Sequence, residues 1–151
     1  MERELVEAML RFVAAEARTL IVRGNHDRGF AADYASIGIE LQERWEGIGI
    51  VAIHGDRPVG AVSDHLISGH LHPALEVFDD AGAGQRIPVF LTTDRATVLP
   101  AFSPLAAGFN VRKRLPAETQ RLLGSGPVEV YAASGKRCLR LGPLDLVRRT
   151  G

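Results

Sequence analysis

The sequence predicts an α/β domain, and three observations carry that reading. An amphipathic, alanine-rich segment opens the chain. Short apolar runs follow it, stopping at Gly, Asn or His, and the second half consists mostly of strand-like stretches separated by turn residues. In such folds, binding groups gather where the carboxyl ends of strands open into loops. The bulk numbers agree. A length of 151 residues suits one domain, 1–151, with a real core. Hydrophobic residues at 46% and charged residues at 24% fit a soluble globular protein. The formal net charge is +0, so no global field draws nucleic acid or anionic membrane, and any nucleic-acid contact has to use a local patch. The single cysteine, Cys138, has no internal disulfide partner, which points to a reducing compartment. No apolar run approaches the ~20 residues that span a bilayer. Glu2, Arg3 and Glu4 at the start do not resemble a signal peptide. The cytoplasm is the expected location.

Along the chain, Leu5, Met9, Phe12 and Val13 recur at helical spacing among charged residues and predict a helix over Met1 to Ala17. Thr19 to Val22 is a short, mostly apolar run of the kind found in buried parallel strands, and it stops at Arg23-Gly24-Asn25. Ala31 to Ser36 reads as a short helix. Ile37 to Leu41 reads as a strand leading to a turn near Glu46-Gly47. Ile48 to Ile53 is a strong strand that ends at His54, and Leu66 to Ser68 ends at Gly69-His70. Ala74 to Phe78 is read as an outgoing strand with a hairpin tip at Asp79 to Gly82. Pro88 to Leu91 and Val98 to Phe102 are short strand pieces. Val128 to Ala132 and Arg137 to Leu141 form a terminal hairpin around Ser134-Gly135, after an irregular connector from Pro116 to Pro127.

Four of the five histidines fall in three clusters, each just after an apolar run: Gly24-Asn25-His26-Asp27, His54-Gly55 and Gly69-His70-Leu71-His72. Neutral imidazole nitrogen binds Zn, Fe, Mn, Ni or Cu, and amide or carboxylate oxygen suits the harder of these ions. Rigid strands hold such groups at fixed separation. If His70 to His72 is extended, its two imidazoles lie on one side, within reach of two neighbouring metal ions. Gly69 lets the backbone come close. Asn25 offers an amide oxygen. His26 beside it would point elsewhere and donate to a phosphoryl oxygen, with Asp27 orienting it. Each cluster alone has a plainer reading. A histidine after a strand often caps or hydrogen-bonds, and His-x-His arises by chance on exposed strands. His65 reads as a hydrogen-bonded surface histidine, Asp56 and Asp64 as loop residues, and Cys138 as a small buried hydrophobe. The occurrence of all three clusters in this order weighs toward ligands.

In that order, the clusters resemble the calcineurin-like metallophosphoesterase superfamily. The stretch from about Arg18 to Phe109 also resembles its branch of bacterial and archaeal phosphoesterases associated with a DNA ligase. Arg23 to Arg28, Gly69 to Pro73, Ile87 to Phe90 and Val98 to Phe102 carry that second likeness. The resemblance implies a β-sandwich flanked by helices, with a site for two divalent metal ions (Mn, Fe or Zn). It implies that Asn25, His54 and His70 bind one metal and His72 the other. It further implies that His26 contacts the scissile phosphate with support from Asp27, and that a dinuclear centre hydrolyses a phosphate ester. A phosphodiesterase or nuclease in DNA repair, with a functional association with a DNA ligase and a helicase, follows from the branch alone.

The chain departs from the family pattern at its start. That pattern opens with Asp-x-His and then Gly-Asp, whereas this chain has no Asp-x-His, and its one Gly-Asp, Gly55-Asp56, follows His54. The expected fold is therefore a partial metallophosphoesterase-type β-sandwich lacking the first β-α units, on the order of ~60 residues. One metal would keep three ligands and the other only His72, so at most one ion is well liganded and the chain by itself is expected to be inactive. A longer natural protein is the favoured explanation. A second chain supplying the missing half, or a non-catalytic metal-binding or partner-binding remnant, are the alternatives. Loss of early strands is expected to expose apolar edges on Thr19 to Val22 and Ile48 to Ile53. Arg112-Lys113-Arg114 and Arg148-Arg149 are candidate contacts to a phosphate backbone, set against the plainer reading of a solvated surface.

Overall fold

Helix α1 (Glu2–Glu16) covers the amphipathic N-terminal segment, in the computed structural model, which describes residues 2–25, 27, 31–103 and 106–149. Arg11 of α1 pairs with Glu7 one turn earlier at 2.7 Å. Met9, Phe12 and Val13 stay exposed, Phe12 to 69%. Strand β1 (Leu20–Val22), helix α2 (Ala31–Ser36) and strand β2 (Glu40–Gln42) follow, and β1 pairs β2 in parallel as a separate two-stranded sheet. The expected strand from Ile37 begins later than predicted. Gly38 takes a left-handed φ of 76°, and Ile37 and Gly38 form a turn whose amides bond back to α2 carbonyls.

Strands β3 (Arg44–Gly47) and β4 (Ile50–Ile53) form an antiparallel hairpin. Its turn residues, Ile48 and Gly49, have φ of 49° and 74°, as the mirror-image hairpin turns require. The turn thus falls two residues past the expected one, and Ile48 sits at its tip, 90% exposed, instead of in the strand. Strand β4 is not an edge, contrary to expectation: β3 flanks one side and β5 (His65–Ser68) the other, in parallel. Among the described residues β1 pairs on one side only.

Strand β6 (Pro73–Phe78) and the long β7 (Gly84–Thr92) make the expected hairpin, whose tip is held by Asp79 Oδ1 accepting from the amides of Ala81 and Ala83. Next come β8 (Ala96–Val98), the two-residue β9 (Phe109–Asn110), helix α3 (Ala117–Leu123), strands β10 (Glu129–Ser134) and β11 (Arg137–Pro143), and helix α4 (Leu144–Arg149). The main path runs β11-β10-β7-β8-β5-β4-β3. The first half of β7 pairs β6, which also pairs β9, and its second half pairs β10 and β8. One strand therefore ties the two parts of the sheet together. Val51, Leu66, Leu91, Val98 and Val130 from five neighbouring strands are all buried at its centre.

The result is a mixed α/β structure, mostly sheet, with four helices among the described residues. The stretch expected to be an irregular connector contains α3, which starts directly after Pro116 and buries Thr119 and Leu123. Cys138 lies exposed on the edge strand β11, not buried as expected. Among the described residues no helix is long and apolar enough to cross a membrane.

Candidate functional site

Two adjacent parallel strands set the site. Strand β4 runs into His54, β5 runs into Gly69 and His70, and the Gly69 amide donates to the His54 carbonyl at 3.0 Å, extending the ladder one step past both strands. The Ser68 hydroxyl donates to the same carbonyl at 3.2 Å. Gly55, with φ of 102°, then turns the chain away in a conformation that suits glycine. A Cβ on Gly55 would meet Ser68 Oγ at 2.1 Å, so the strand ends close together only because this residue has none.

The third contributor is the loop after β1. The Arg23 amide still donates to Gln42 in β2, at 2.7 Å, before the chain leaves the sheet. Gly24 and Asp27 then close a turn reciprocally. The Asp27 amide donates to the Gly24 carbonyl at 3.2 Å, and the Gly24 amide donates to Asp27 Oδ2 at 2.7 Å. The Tyr34 hydroxyl donates to the other Asp27 oxygen at 3.2 Å. Both carboxylate oxygens thus accept bonds that fix the loop carrying Asn25. His26 lies outside the described residues.

These elements bring Asn25, His54 and His70 together. His54 Nε2 is 2.8 Å from Asn25 Oδ1 and 3.2 Å from His70 Nδ1, and the two rings meet edge to face with centroids 5.0 Å apart. His54 Nε2 thus has two further polar atoms, Asn25 Oδ1 and His70 Nδ1, within hydrogen-bonding distance. A tetrahedral site with bonds of about 2.0–2.1 Å has ligand atoms about 3.3 Å apart; the His54–His70 separation of 3.2 Å lies near that, and the His54–Asn25 separation of 2.8 Å is shorter. Two imidazoles and an amide oxygen are, by their chemistry, suited to a borderline divalent cation. Among the described residues no three His, Cys, Asp or Glu side chains gather at metal-binding distance, so His72 does not join the pair.

The expected geometry of the His-x-His segment is corrected here. His70 and His72 both have left-handed φ, 59° and 52°, so the segment is a tight turn and the one-sided placement of an extended strand does not apply. Leu71 packs against the core between them, and the His72 carbonyl accepts from the Phe109 amide at 2.8 Å. Two histidines in this sparsely populated backbone region store strain of the kind that gathers at functional sites.

His65 is remote from this cluster. Its Nδ1 faces the Asp94 carbonyl at 3.3 Å and its Nε2 the Thr97 hydroxyl at 2.9 Å, which fits the hydrogen-bonded role read from the sequence. Asp56 lies in the loop after Gly55, beside Arg57 at 3.8 Å. Arg57 reaches Glu43 at 3.3 Å and Arg23 reaches the other Glu43 oxygen at 3.0 Å, so one carboxylate bridges two guanidiniums at the edge of a cleft of about 290 Å³ beside His54. Sequence reasoning missed Tyr34, Ser68 and this arginine pair. Only the place of Ser68, one residue before Gly69, gave any hint. Of the basic residues read as candidate phosphate contacts, Arg112 and Arg148 make hydrogen bonds within the fold. Arg148 donates to the carbonyls of Val111 and Lys113 at 3.0 and 2.8 Å, and Arg112 to that of Val147 at 3.0 Å.

A mixed α/β sheet with polar side chains converging at parallel strand ends is compatible with a nuclease or phosphoesterase fold. The structure is similar to the crystal structure of nuclease MPE from Pseudomonas putida, with a TM-score of 0.59 and 26% sequence identity. The likeness covers 87% of this chain, and the chain spans 57% of that one. No protein-family model matches the sequence, and no curated protein matches it.

Proposed function

We propose that this chain carries part of a metal-dependent phosphodiesterase centre of the nuclease type. The observation that supports the reading is the convergence of Asn25 Oδ1, His54 Nε2 and His70 Nδ1 within 2.8 and 3.2 Å at the ends of three strands. The likeness to a nuclease structure adds to it. Asn25, His54 and His70 would hold one cation of the Mn, Fe or Zn class. When bound, that cation supplies Lewis-acid polarisation of a phosphoryl oxygen. His26, next to Asn25 in sequence, is proposed to donate a hydrogen bond to the phosphate, and Asp27 supports it by fixing the Gly24–Asp27 turn. His72 is proposed as a ligand of a second ion. With no Asp-x-His motif in the chain, the dinuclear centre of the metallophosphoesterase superfamily lacks its bridging carboxylate here, so slow turnover is expected of these 151 residues alone.

The reading is tested by titrating Mn²⁺ while following thermal unfolding and hydrolysis of bis(p-nitrophenyl) phosphate. Binding at a hundredfold excess over Kd raises stability by about 2.7 kcal/mol. His54→Ala and His70→Ala are expected to abolish that stabilisation, while His72→Ala keeps it and loses the residual hydrolysis. A metal-induced shift that survives His54→Ala and His70→Ala would overturn the assignment. Metal binding without any hydrolysis favours the alternative, a non-catalytic metal-binding module on the same fold.

A further inference from the structure

A second cleft, of about 200 Å³, lies between the loop after His54 and helix α3. Its lining combines the apolar Val59, Val62, Leu66 and Leu122 with three arginines, Arg57, Arg95 and Arg121. Arg57 also lines the cleft beside His54, and Glu118 lines both this cleft and the one beside His70. The three clefts thus share walls and form one path around the 55–62 loop. Arg57 is held by Glu43 and Asp56. Among the described residues no carboxylate pairs with Arg95 or Arg121. Arg95 is positioned by packing: a Cβ on Gly124, at the end of α3, would meet its Cδ at 3.4 Å.

The sheet fixes the scale. The Leu66 amide donates to the Arg95 carbonyl at 2.8 Å, which sets Arg95 at the start of β5, while His70 follows its end. Four residues of strand put about 13 Å of backbone between the two positions. Two guanidiniums with no carboxylate partner among the described residues, one of them beside the end of β5 opposite His70, are of little use to a small monoester held at the histidines. They suit a ligand with several phosphates in a row, and guanidinium forks match phosphate oxygens in pairs. Asp64 and Glu118 on the rim leave the cleft only weakly cationic, so the contact is a track that orients a strand, not a strong anion trap.

We infer that Arg57, Arg95 and Arg121 form a phosphate track leading from the histidine cluster, and that the ligand is a polynucleotide strand spanning both. The inference rests on the phosphodiesterase reading for its ligand class, but its test is binding. A fluorescent 12-mer oligonucleotide is titrated onto the full chain in EDTA across a salt series, alongside Arg95→Glu/Arg121→Glu. The control is Lys136→Glu/Arg137→Glu, which makes the same change in net charge on the edge hairpin. Each phosphate contact on a single strand contributes about 0.7 to the slope of log K against log salt. The Arg95/Arg121 pair is expected to weaken binding at least about tenfold and to reduce the slope by about 1.4, with the control unchanged. Equal loss in both pairs, or no loss in either, would overturn the track. Binding that depends on Arg95 and Arg121 in a chain with no metal-dependent hydrolysis would support the track and count against the hydrolytic reading.

Discussion

A Cβ on Gly24 would lie 2.6 Å from both Cε1 and Nδ1 of His54. The loop after β1 and the end of β4 therefore meet as bare backbone against an imidazole ring. That contact sets Asn25 Oδ1 2.8 Å from His54 Nε2. The ring cannot shift without giving up Asn25 or His70.

Gly24→Ala is accordingly expected to displace His54 and to cost about 1–3 kcal/mol by overpacking. It is also expected to lower Mn²⁺ affinity on the order of ten- to a hundredfold. Chemical denaturation and calorimetric metal titration measure the two effects. Wild-type metal affinity in Gly24→Ala would show that His54 does not need this contact.

Much of this site was legible because it sits where apolar runs stop. The Ile50–Ile53 and Leu66–Ser68 segments are strands, and the residues that follow them, His54 and Gly69-His70, fall at the carboxyl ends of two adjacent parallel strands. Local patterning could not show the conformation between His70 and His72. Left-handed φ at 59° and 52° is imposed by the Leu71 anchor and the Phe109 amide, both tertiary contacts. Strand β3 escaped notice because its four residues, Arg44 to Gly47, hold a single large apolar side chain, Trp45, too short a pattern to register, and α3 because two prolines bracket it in sequence. The roles of Arg112 and Arg148 depend on carbonyls 35 to 37 residues away, beyond any periodicity.

Gly55 tests a different constraint. Its φ of 102° and the 2.1 Å approach of a Cβ to Ser68 Oγ are separate penalties. Gly55→Ala is expected to destabilise by about 3 kcal/mol or more, combining backbone strain with a clash. In Gly55→Ala/Ser68→Ala the hydroxyl is gone and the remaining Ser68 Cβ lies 3.5 Å away, an ordinary contact. The double variant should therefore lose only the strain, about 1–3 kcal/mol, plus about 1 kcal/mol for the missing hydroxyl bond to the His54 carbonyl. Denaturation midpoints of the two single variants and the double variant decide this, and additive losses would show that the clash is relieved elsewhere.

Arg112 and Arg148 tie helix α4 to the segment after β9 through charged hydrogen bonds to carbonyls, each worth about 1.5–3 kcal/mol. Arg148→Ala is expected to destabilise the fold by that order and to leave the salt dependence of oligonucleotide binding as it was. A reduced salt slope with unchanged stability would reassign Arg148 to the phosphate backbone.

The pairing of β1 with β2 is expected to weaken in acid, through Glu40. Hydrogen bonds from Gln42 and Arg18 hold its carboxyl below the ordinary carboxylate range. A carboxyl so lowered in the folded state contributes stability that is fully present above its unfolded pKa and is lost as pH falls through the folded value. The group is exposed and the effect is correspondingly small, but it acts where the Glu40 amide donates to the Thr19 carbonyl at 3.3 Å. Amide exchange at Glu40 and Arg23 should therefore accelerate below the ordinary carboxylate range, beyond the intrinsic pH dependence of exchange. Glu40→Gln should remove that extra step. Because β1 delivers Gly24 and Asn25, loosening it should also release the Asn25 contact to His54, visible as a change in the His54 imidazole resonances over the same interval. Titration of those resonances in Glu40→Gln at the wild-type midpoint would sever the link between this surface pair and the site.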